Sequence, residues 1–407
     1  MLGDSNDGCD HDDVDEPTPM PAETPPKVDP LTNDPGEGRV IILKIGGSSI
    51  THKAHEETLN YENLDWFAQL IASSVHESFL ASTTTATTTT TTTTSKPKFV
   101  IVHGAGSFGH HSAKRFGLKC GKAAFLAEND GEPTANVTNT CTPDRSRYQM
   151  EALSKTRRSV QKLNASVVDR LIEKGVNAVG ISPGMTFPDL RAHGIASSLT
   201  RAPLFDSDSH SMLKDRDVMG MTFLCQSIFQ CLNCGLVPVI HGDACLLHDG
   251  MRAGILGGDT LVEGIANLWG RGHWDVRDRI GKVIFITDVG GVYSSDPKVD
   301  SDAELIRKLC VNEDTGKVTV GDGDEDEDGK CPSLNVGGSS HAHDVTGGLK
   351  AKLGAAVTVV QTGIDVIIAQ CGSVSAEKFV KGEFESVYDV EEGTLLTTVT
   401  RSKRKAL

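Results

Sequence analysis

The feature that most constrains the fold of this chain is an alternation of short apolar runs with longer segments of helical periodicity. Six runs of four to six residues are nearly continuous in apolar side chains, which is typical of strands covered on both faces. In the segments between them, apolar residues recur every three or four positions. This alternation predicts an α/β fold, with a mostly parallel sheet and helices on both of its faces. The predicted strands are Val40–Ile45, Phe99–Val102, Val176–Ile181, Leu236–Ile240, Val283–Thr287 and Asp365–Ala369.

Three segments depart from this alternation. Residues 1–38 contain seven of the sixteen prolines and eleven acidic residues, so they cannot bury enough apolar surface to offset their ordering entropy, and we expect a disordered acidic tail. Residues 81–96 are nearly all Thr, and residues from about 311 to 340 contain the run GDGDEDEDG; we interpret both as low-complexity loops exposed to solvent. We therefore expect a single folded domain over residues 39–402 that carries these two insertions.

The charge of the chain excludes several classes of partner. The formal net charge is −15, but the tail and the acidic run carry nearly all of it, and the remainder is close to neutral. This balance argues against nucleic acid or an anionic membrane as a partner. No run approaches the roughly 18 apolar residues of a membrane span, and neither a signal peptide nor a transit peptide is visible. We expect a cytoplasmic protein.

The ten cysteines are scattered along the chain, which is typical of reduced thiols in a cytosol-like compartment. One close pair, Cys231 and Cys234, could form half of a zinc site. No second CxxC pair complements it, and it lies in an apolar helical pattern, so we interpret both residues as core or surface thiols.

Glycines follow the predicted strands where α/β folds bind ligands, at the carboxyl ends of the strands. The first strand continues into Gly46–Ser48, and the second into Gly104–Gly106 and a helix-like stretch. Such glycines let backbone N–H groups approach an anion, which a helix N-terminus also favours. The spacing fits neither the Walker A nor the Rossmann motif. Three more glycine-containing segments are Gly257–Thr260, Ile286–Tyr293 and Asp344–Lys352.

Lysines accompany these glycines. Lys44 lies in the first strand end, and Lys350 and Lys352 lie in the first turns of a predicted helix. A lysine there is unfavourable against the helix dipole, a conflict that a bound polyanion removes. Any one glycine pair could be a structural turn, but five of them with lysines from distant segments predict two facing anion sites bridged by cations. Phosphoryl transfer requires this arrangement, because its catalysis is mainly positioning and charge neutralisation.

The motifs KIGGSSIT, HGAGSFGHH, VPVIHGD, GGDT, ITDVGGVYSSDP and DVTGGLKAK together resemble the amino acid kinase superfamily over roughly residues 39–400. Within it, GAGSFGH with an ensuing His, and KxGGSxIT followed by Lys53, are similar to the isopentenyl phosphate kinases. The resemblance implies a three-layer αβα sandwich around a mostly parallel sheet, usually as a homodimer. It also implies that ATP, with Mg²⁺, phosphorylates isopentenyl phosphate to isopentenyl diphosphate, in an alternative mevalonate route to isoprenoids.

The resemblance further implies roles for individual residues. Asp259 would orient the catalytic lysines, and Lys53 would be a second basic residue near the transferring group. The catalytic set would be Lys44, Lys53, His110, Asp259 and Lys352. The acceptor would contact Ala105, His110 and Gly258. ATP would contact Lys44, Gly46, Gly47, Ser48, Gly106, Asp288, Gly348 and Lys352.

The chemistry of His110 favours a phosphate acceptor. A phosphate monoester is mostly dianionic near neutral pH, since its second pKa is about 6, so it needs no general base. It needs a hydrogen-bond donor such as imidazole, whereas a carboxylate acceptor is better clamped by Arg. A capping or core role for His110 is the alternative, and His111 has a weaker claim. His103 and His241 precede glycines, where bonds to the backbone explain them as well as a ligand role does.

Other functions remain open from the sequence. Thr260 stands where relatives often carry a second acid, and Gly291 follows Gly290 where relatives commonly have DxDG, which leaves nucleotide or metal preference open. The long segment 188–216 leaves substrate breadth open. The same fold could act on fosfomycin or another small phosphate or phosphonate. Polar walls beyond His110 would favour those acceptors, and apolar walls would favour a prenyl phosphate. A non-catalytic scaffold is disfavoured because Lys44, Asp259 and Lys352 are all present.

Overall fold

A ten-stranded, mostly parallel sheet forms the centre of the structure. This computed structural model describes residues 40–83, 97–116, 118, 143–183, 212–246, 253–270, 279–295, 297, 300–321, 333–334 and 347–399. In spatial order the strands are β12 (Ser333–Leu334), β11 (Val318–Val320), β10 (Lys308–Val311), β14 (Thr394–Thr398), β13 (Asp365–Gln370), β7 (Ile280–Thr287), β1 (Val40–Ile45), β2 (Lys98–His103), β4 (Val237–His241) and β3 (Ala178–Ile181). Two separate strand pairs are β5 (Asp243–Leu246) with β6 (Ala253–Leu256), and β8 (Val292–Tyr293) with β9 (Leu305–Ile306).

Helices cover both faces of the sheet, as the alternation predicts. One face carries α2 (Tyr61–Thr83), α4 (Pro143–Glu173) and α8 (Val374–Lys381), and the other carries α5 (Met212–Asn233), α6 (Gly258–Gly270) and α7 (Gly347–Gln361). Two helices begin shortly after strands: α1 (Gly47–Ile50) follows β1, and α3 (Gly106–Arg115) follows β2. The three-layer αβα sandwich is therefore confirmed.

Strand β1 shows why the apolar runs are nearly continuous. Ile41 and Leu43 pack with Phe67 of α2 in one core, whereas Val40 and Ile42 pack in the other core. Successive side chains of a strand point to opposite faces, and here both faces are covered, so both sets are apolar. The six predicted strands are confirmed, although β3 begins two residues later than predicted and its residues are only partly buried.

The segment predicted as a solvent-exposed loop over residues 311–340 contains two strands. β10 and β11 pair antiparallel across a turn whose backbone N–H groups at Asp314 and Thr315 donate to Asn312 Oδ1, and β11 pairs antiparallel with β12. Val318 is buried in the core, and this burial stabilises β11. The loop interpretation is therefore wrong for these strands. The acidic run lies outside the described residues, as do the predicted tail and all but the first three residues of the Thr-rich segment.

Two sequence expectations concern helices and cysteines. The backbone turns at Gly175, just after α4, with φ of 84°, in the left-handed region that glycine tolerates. Cys231 and Cys234, at the end of α5, are free thiols, as expected. Across the described part of the chain, no helix combines the length and the apolar character needed to cross a membrane.

Candidate active site

The glycine motifs meet because β1, β2 and β7 end at the same edge of the sheet. Ile45, the last residue of β1, pairs with His103 of β2 on one side and with Ile286 of β7 on the other. The backbone N–H of Gly46 donates to the carbonyl of Ile286, and that of Gly104 donates to the carbonyl of Ile45. Segments more than 200 residues apart in sequence therefore emerge side by side at the carboxyl ends of the strands.

Two of the predicted anion-binding loops are in direct contact. A Cβ atom at Gly47 would lie 2.1 Å from the backbone nitrogen of Gly106, so no side chain fits there. Gly106 has φ of 50°, which favours glycine, and a Cβ atom there would lie 2.2 Å from Thr51 Oγ1. The Thr51 hydroxyl donates to the Gly47 carbonyl and accepts from the Ser107 N–H. These glycines are required by close backbone packing as well as by any ligand.

Lys44 and Asp259 form a partly buried ion pair at the ends of β1 and α6. Lys44 is 4% exposed, and its Nζ lies 2.5 Å from Asp259 Oδ1. Asp259 is in the first turn of α6, where the helix dipole favours a carboxylate. A Cβ atom at the preceding Gly258 would lie 3.6 Å from Lys44 Cε, an ordinary van der Waals contact, so this approach does not require glycine. The prediction that Asp259 orients a lysine is consistent with this contact.

Asp288 holds the other two lysines. Lys53 Nζ lies 3.2 Å from Asp288 Oδ2, and Lys352 Nζ lies 3.9 Å from Asp288 Oδ1 while donating to Thr287 Oγ1 at 2.8 Å. Burial acts to raise the pKa of Asp288, but the hydrogen bond from Lys53 and the charge of Lys352 outweigh it and hold that pKa below its usual value. Asp288 is therefore a carboxylate near neutral pH.

The five charged groups form one cluster, which we call the lysine cluster: Lys44, Lys53, Lys352, Asp259 and Asp288. Burial lowers the pKa of Lys352, and the charge of Lys44 lowers it further, while Asp288 and Asp259 oppose that shift. Each of the other four groups therefore lies within electrostatic range of Lys352. Three lysines face two carboxylates, and the excess positive charge makes this edge of the sheet suited to a polyanion.

The remaining predicted residues lie in or next to helices α1, α3 and α7. Ser48 is half-buried in α1, and Gly348 is in the first turn of α7. Ala105 is the residue before α3, and His110 is exposed on that helix. The role of His110 at the acceptor stays a prediction.

Sequence reasoning overlooked two residues that hold the site together. Thr287 accepts from Lys352, and Thr51 joins the two glycine loops. Both lie within the motifs, but a threonine at a strand end has no distinguishing pattern. His111, which has a weaker claim than His110 from the sequence, has its Nε2 3.1 Å from the Lys53 carbonyl, so it contacts the segment that carries this lysine.

The two strand-end histidines are structural and uncharged. Nδ1 of His103 lies 3.1 Å from the Gly104 carbonyl, and Nδ1 of His241 lies 3.0 Å from the Gly242 carbonyl. Burial lowers the pKa of each to about 4, so both rings are neutral at physiological pH. The backbone interpretation of these histidines is thus supported.

The described residues contain no group of three or more His, Cys, Asp or Glu side chains able to hold a metal ion. Mg²⁺ is commonly bound through substrate phosphates with one or two carboxylates and several waters, rather than by an all-protein cage. A site with only Asp259 and Asp288 is compatible with a metal ion that arrives with a nucleotide.

Comparisons with known proteins agree with this geometry. The profile of the amino acid kinase family matches residues 39–370. The isopentenyl phosphate kinase of Arabidopsis thaliana is 27% identical over 89% of this chain and 96% of its own length. That of Methanothermobacter thermautotrophicus is 27% identical over 80% of this chain and 89% of its own length. A crystal structure of an isopentenyl phosphate kinase superposes with a TM-score of 0.52 at 24% identity, covering 88% of this chain and all of that one. The chain, a phosphotransferase by fold and sequence, belongs to the amino acid kinase family.

Proposed function

We propose that this protein transfers the γ-phosphoryl group of ATP to isopentenyl phosphate, forming isopentenyl diphosphate and ADP. The observation that carries the proposal is the lysine cluster, which gathers three cations from distant segments beside two contacting glycine loops. Relatives that match nearly the whole chain carry this activity in their names. The reaction supplies isopentenyl diphosphate for isoprenoid biosynthesis.

Lys44 and Lys352 neutralise the charge that spreads over the transferring phosphoryl oxygens. Charge stabilisation of this kind works best when the cations are already held in place, so that little reorganisation accompanies the reaction. Asp259 holds Lys44 by the 2.5 Å contact, and Thr287 holds Lys352 by the 2.8 Å hydrogen bond. Lys53 is more open to solvent than the other two lysines, since its side chain is 63% exposed. It approaches the transferring group from the solvent side.

The nucleotide binds at the glycine loops. Backbone N–H groups after β1 and at the start of α3 face the β- and γ-phosphates, and the N-terminus of α7 adds a favourable dipole. Asp288, an exposed carboxylate of the lysine cluster, would help to hold a Mg²⁺ ion bound to the phosphates, and that ion would share their charge. The residues proposed to contact ATP are Lys44, Gly46, Gly47, Ser48, Gly106, Asp288, Gly348 and Lys352.

The acceptor phosphate occupies the side of the site formed by Ala105, His110 and Gly258. It is its own nucleophile, because a phosphate monoester is largely dianionic near neutral pH. A neutral or charged imidazole at His110 donates a hydrogen bond that holds the acceptor without removing its charge. No protein group needs to accept a proton in this reaction.

Apolar side chains beyond His110 support a prenyl acceptor over a polar one. Ala113 of α3 and Phe116, the residue after this helix, pack with Ala152 of α4 and Ala253 of β6 in a small separate cluster. Apolar walls favour an isoprenoid chain over the polar body of fosfomycin or a nucleoside monophosphate. By analogy with its relatives, we also expect a homodimer that acts in the cytoplasm.

A coupled assay for ADP release tests the proposal, with isopentenyl phosphate, fosfomycin, uridine monophosphate and acetylglutamate as acceptors. We expect kcat/KM for isopentenyl phosphate to exceed that for each other acceptor by at least about a hundredfold, since the others lack either the phosphate or the apolar chain. Lys352→Ala protein purified in parallel measures any contaminating kinase. Faster turnover of another acceptor would contradict the proposal.

A further inference from the structure

A buried set of polar side chains lies beside the acceptor side of the site, and the proposed reaction uses none of them. Asp243 is fully buried, and its Oδ2 lies 2.8 Å from a guanidinium nitrogen of Arg157, which is 12% exposed. The same guanidinium donates to the Ala244 carbonyl, and Asp243 Oδ1 accepts from the Ala244 N–H. Arg157 belongs to α4 and Asp243 begins β5, so this ion pair joins the helix to the end of β4.

Ser182, just after β3, is the centre of this set. Its Oγ accepts from Arg157 at 3.0 Å and from Gln161 at 3.3 Å. The same Oγ lies 3.2 Å from Asp243 Oδ2 and 3.1 Å from His241 Nε2. Because a hydroxyl has two lone pairs and one proton, Arg157 and Gln161 fill its lone pairs, and its single proton is donated either to Asp243 or to Nε2 of the neutral His241. We call Arg157, Ser182, His241 and Asp243 the polar network.

The polar network reaches the acceptor side through Gly242, which stands between His241 and Asp243. The Gly242 N–H donates to the His103 carbonyl at 2.9 Å. A Cβ atom at Gly242 would lie 3.3 Å from the nitrogen of Gly258 and 3.8 Å from the nitrogen of Ala105. Gly242 thus lies beside both backbone segments that the proposed function places at the acceptor phosphate.

Stability alone does not account for such a network. A buried ion pair is often no more stabilising than apolar residues of the same volume, because desolvation offsets the attraction. A fully hydrogen-bonded network does, however, restrict the backbone that it holds. Rate and affinity are sensitive to this restriction, since a misplacement of 1 Å can cost about a hundredfold in rate.

We infer that the Arg157–Asp243 pair and Ser182 are positioning residues for the acceptor: they hold Gly242, and Gly242 sets the spacing between Ala105 and Gly258. The inference rests on the proposed function for the identity of the acceptor. The bonds of the network run to Ala244, Gln161 and Gly242, beside the acceptor segments, so the network acts on acceptor binding and leaves ATP binding unchanged.

Steady-state kinetics of Ser182→Ala and Asp243→Asn test this inference, with isopentenyl phosphate and ATP varied separately. Both substitutions are near-isosteric. We expect KM for isopentenyl phosphate to rise about tenfold in each variant, because the acceptor loses its preformed geometry, while KM for ATP changes less than about twofold.

The matched control is Ser74→Ala, which removes a buried hydroxyl bonded to the Leu70 carbonyl of α2. It should lower the thermal midpoint about as much as Ser182→Ala but leave both KM values unchanged. Asp243→Asn leaves Arg157 without its charged partner, and such a change can prevent folding. Ser182→Ala keeps every charge and carries the test in that case.

Two outcomes would overturn the inference. In one, Ser182→Ala lowers the thermal midpoint with both KM values unchanged, as a purely structural residue would. In the other, both KM values rise by the same factor. Failure of the proposed function is a separate result, because the unmodified enzyme would then not turn over isopentenyl phosphate at all.

Discussion

The lysine cluster and the polar network lie near each other at one edge of the sheet, but they differ in how their charges are satisfied. In the lysine cluster three cations share two carboxylates, and Lys53 and Asp288 are partly open to solvent. In the polar network Arg157 has its own carboxylate, and both neighbouring histidines are neutral. The lysine cluster keeps an excess positive charge that a bound anion would neutralise. In the polar network the charges balance within the protein. A binding site for polyphosphate thus lies beside a polar network whose charges are balanced without a ligand.

The largest expected effect is that of Lys352→Ala in the lysine cluster. Loss of a preorganised charge at the transferring group costs about 10²–10³ in kcat. Quenched-flow or steady-state measurement of ADP release checks this, with Lys317→Ala, an exposed lysine of the β10–β11 turn, as the control. A change in KM for ATP with kcat intact would show that Lys352 only binds the nucleotide.

The polar network should make the free energy of unfolding depend on pH, through the titration of His241. The pKa of His241 is lowered from 6.5 to about 4, chiefly by burial. Between these values the unfolded chain binds a proton that the folded protein does not, so stability falls as pH falls. At pH 5 this one residue accounts for about 2 kcal/mol of lost stability relative to pH 7.

Urea unfolding of the unmodified protein and of His241→Gln at pH 7 and pH 5 measures this term. The variant should lose about 2 kcal/mol less between the two pH values, roughly a thirtyfold difference in the unfolding constant. Equal losses in both proteins would mean that His241 gains a proton in the folded protein as readily as in the unfolded chain, and that the network is not closed to solvent as described.

A smaller effect is expected for His110→Ala. His110 is proposed to bind the acceptor phosphate and belongs to neither the lysine cluster nor the polar network. Removal of a single donor to the acceptor phosphate should raise KM for isopentenyl phosphate about tenfold and leave KM for ATP nearly unchanged. His76→Ala, on the exposed side of α2, is the control. An effect on ATP affinity alone would move His110 to the nucleotide side.

The smallest effect is expected from deletion of residues 1–38. Their acidic, Pro-rich composition predicts that they do not pack against a core, so neither the lysine cluster nor the polar network depends on them. Turnover should change less than about twofold. A large fall in kcat of the truncated protein, with an unchanged thermal midpoint, would show that the tail takes part in catalysis.

Much of the site could be predicted from the sequence because its residue types are unusual where they stand. Glycine pairs after strands, and lysines such as Lys44 inside an apolar run, conflict with ordinary strand and helix preferences. The assignment of partners was less complete. Asp259, expected to orient the lysines, forms its ion pair with Lys44, whereas Asp288, expected to contact the nucleotide, pairs with Lys53 and Lys352.

The polar network could not be predicted at all. Arg157 lies in the middle of a long helix with many charged residues, and Asp243 follows a common strand-end pattern. Neither position is exceptional in sequence. Their pairing depends on α4 crossing the ends of β3 and β4, which is a property of the assembled sheet. Similarly, β11 and β12 are short strands. They form because β11 can pair with the edge strand β10, and the local sequence does not reveal that this edge is available.

The layers of the fold and the chemistry of the phosphate side follow from the amino-acid sequence, because periodicity and backbone freedom are local properties of the chain. The order of the strands, the sharing of two carboxylates among three lysines and the burial of Arg157 against Asp243 were decided only by the tertiary structure. Each of these depends on which segments meet at a given edge, and segments up to about 300 residues apart meet here through the packing of the whole sheet.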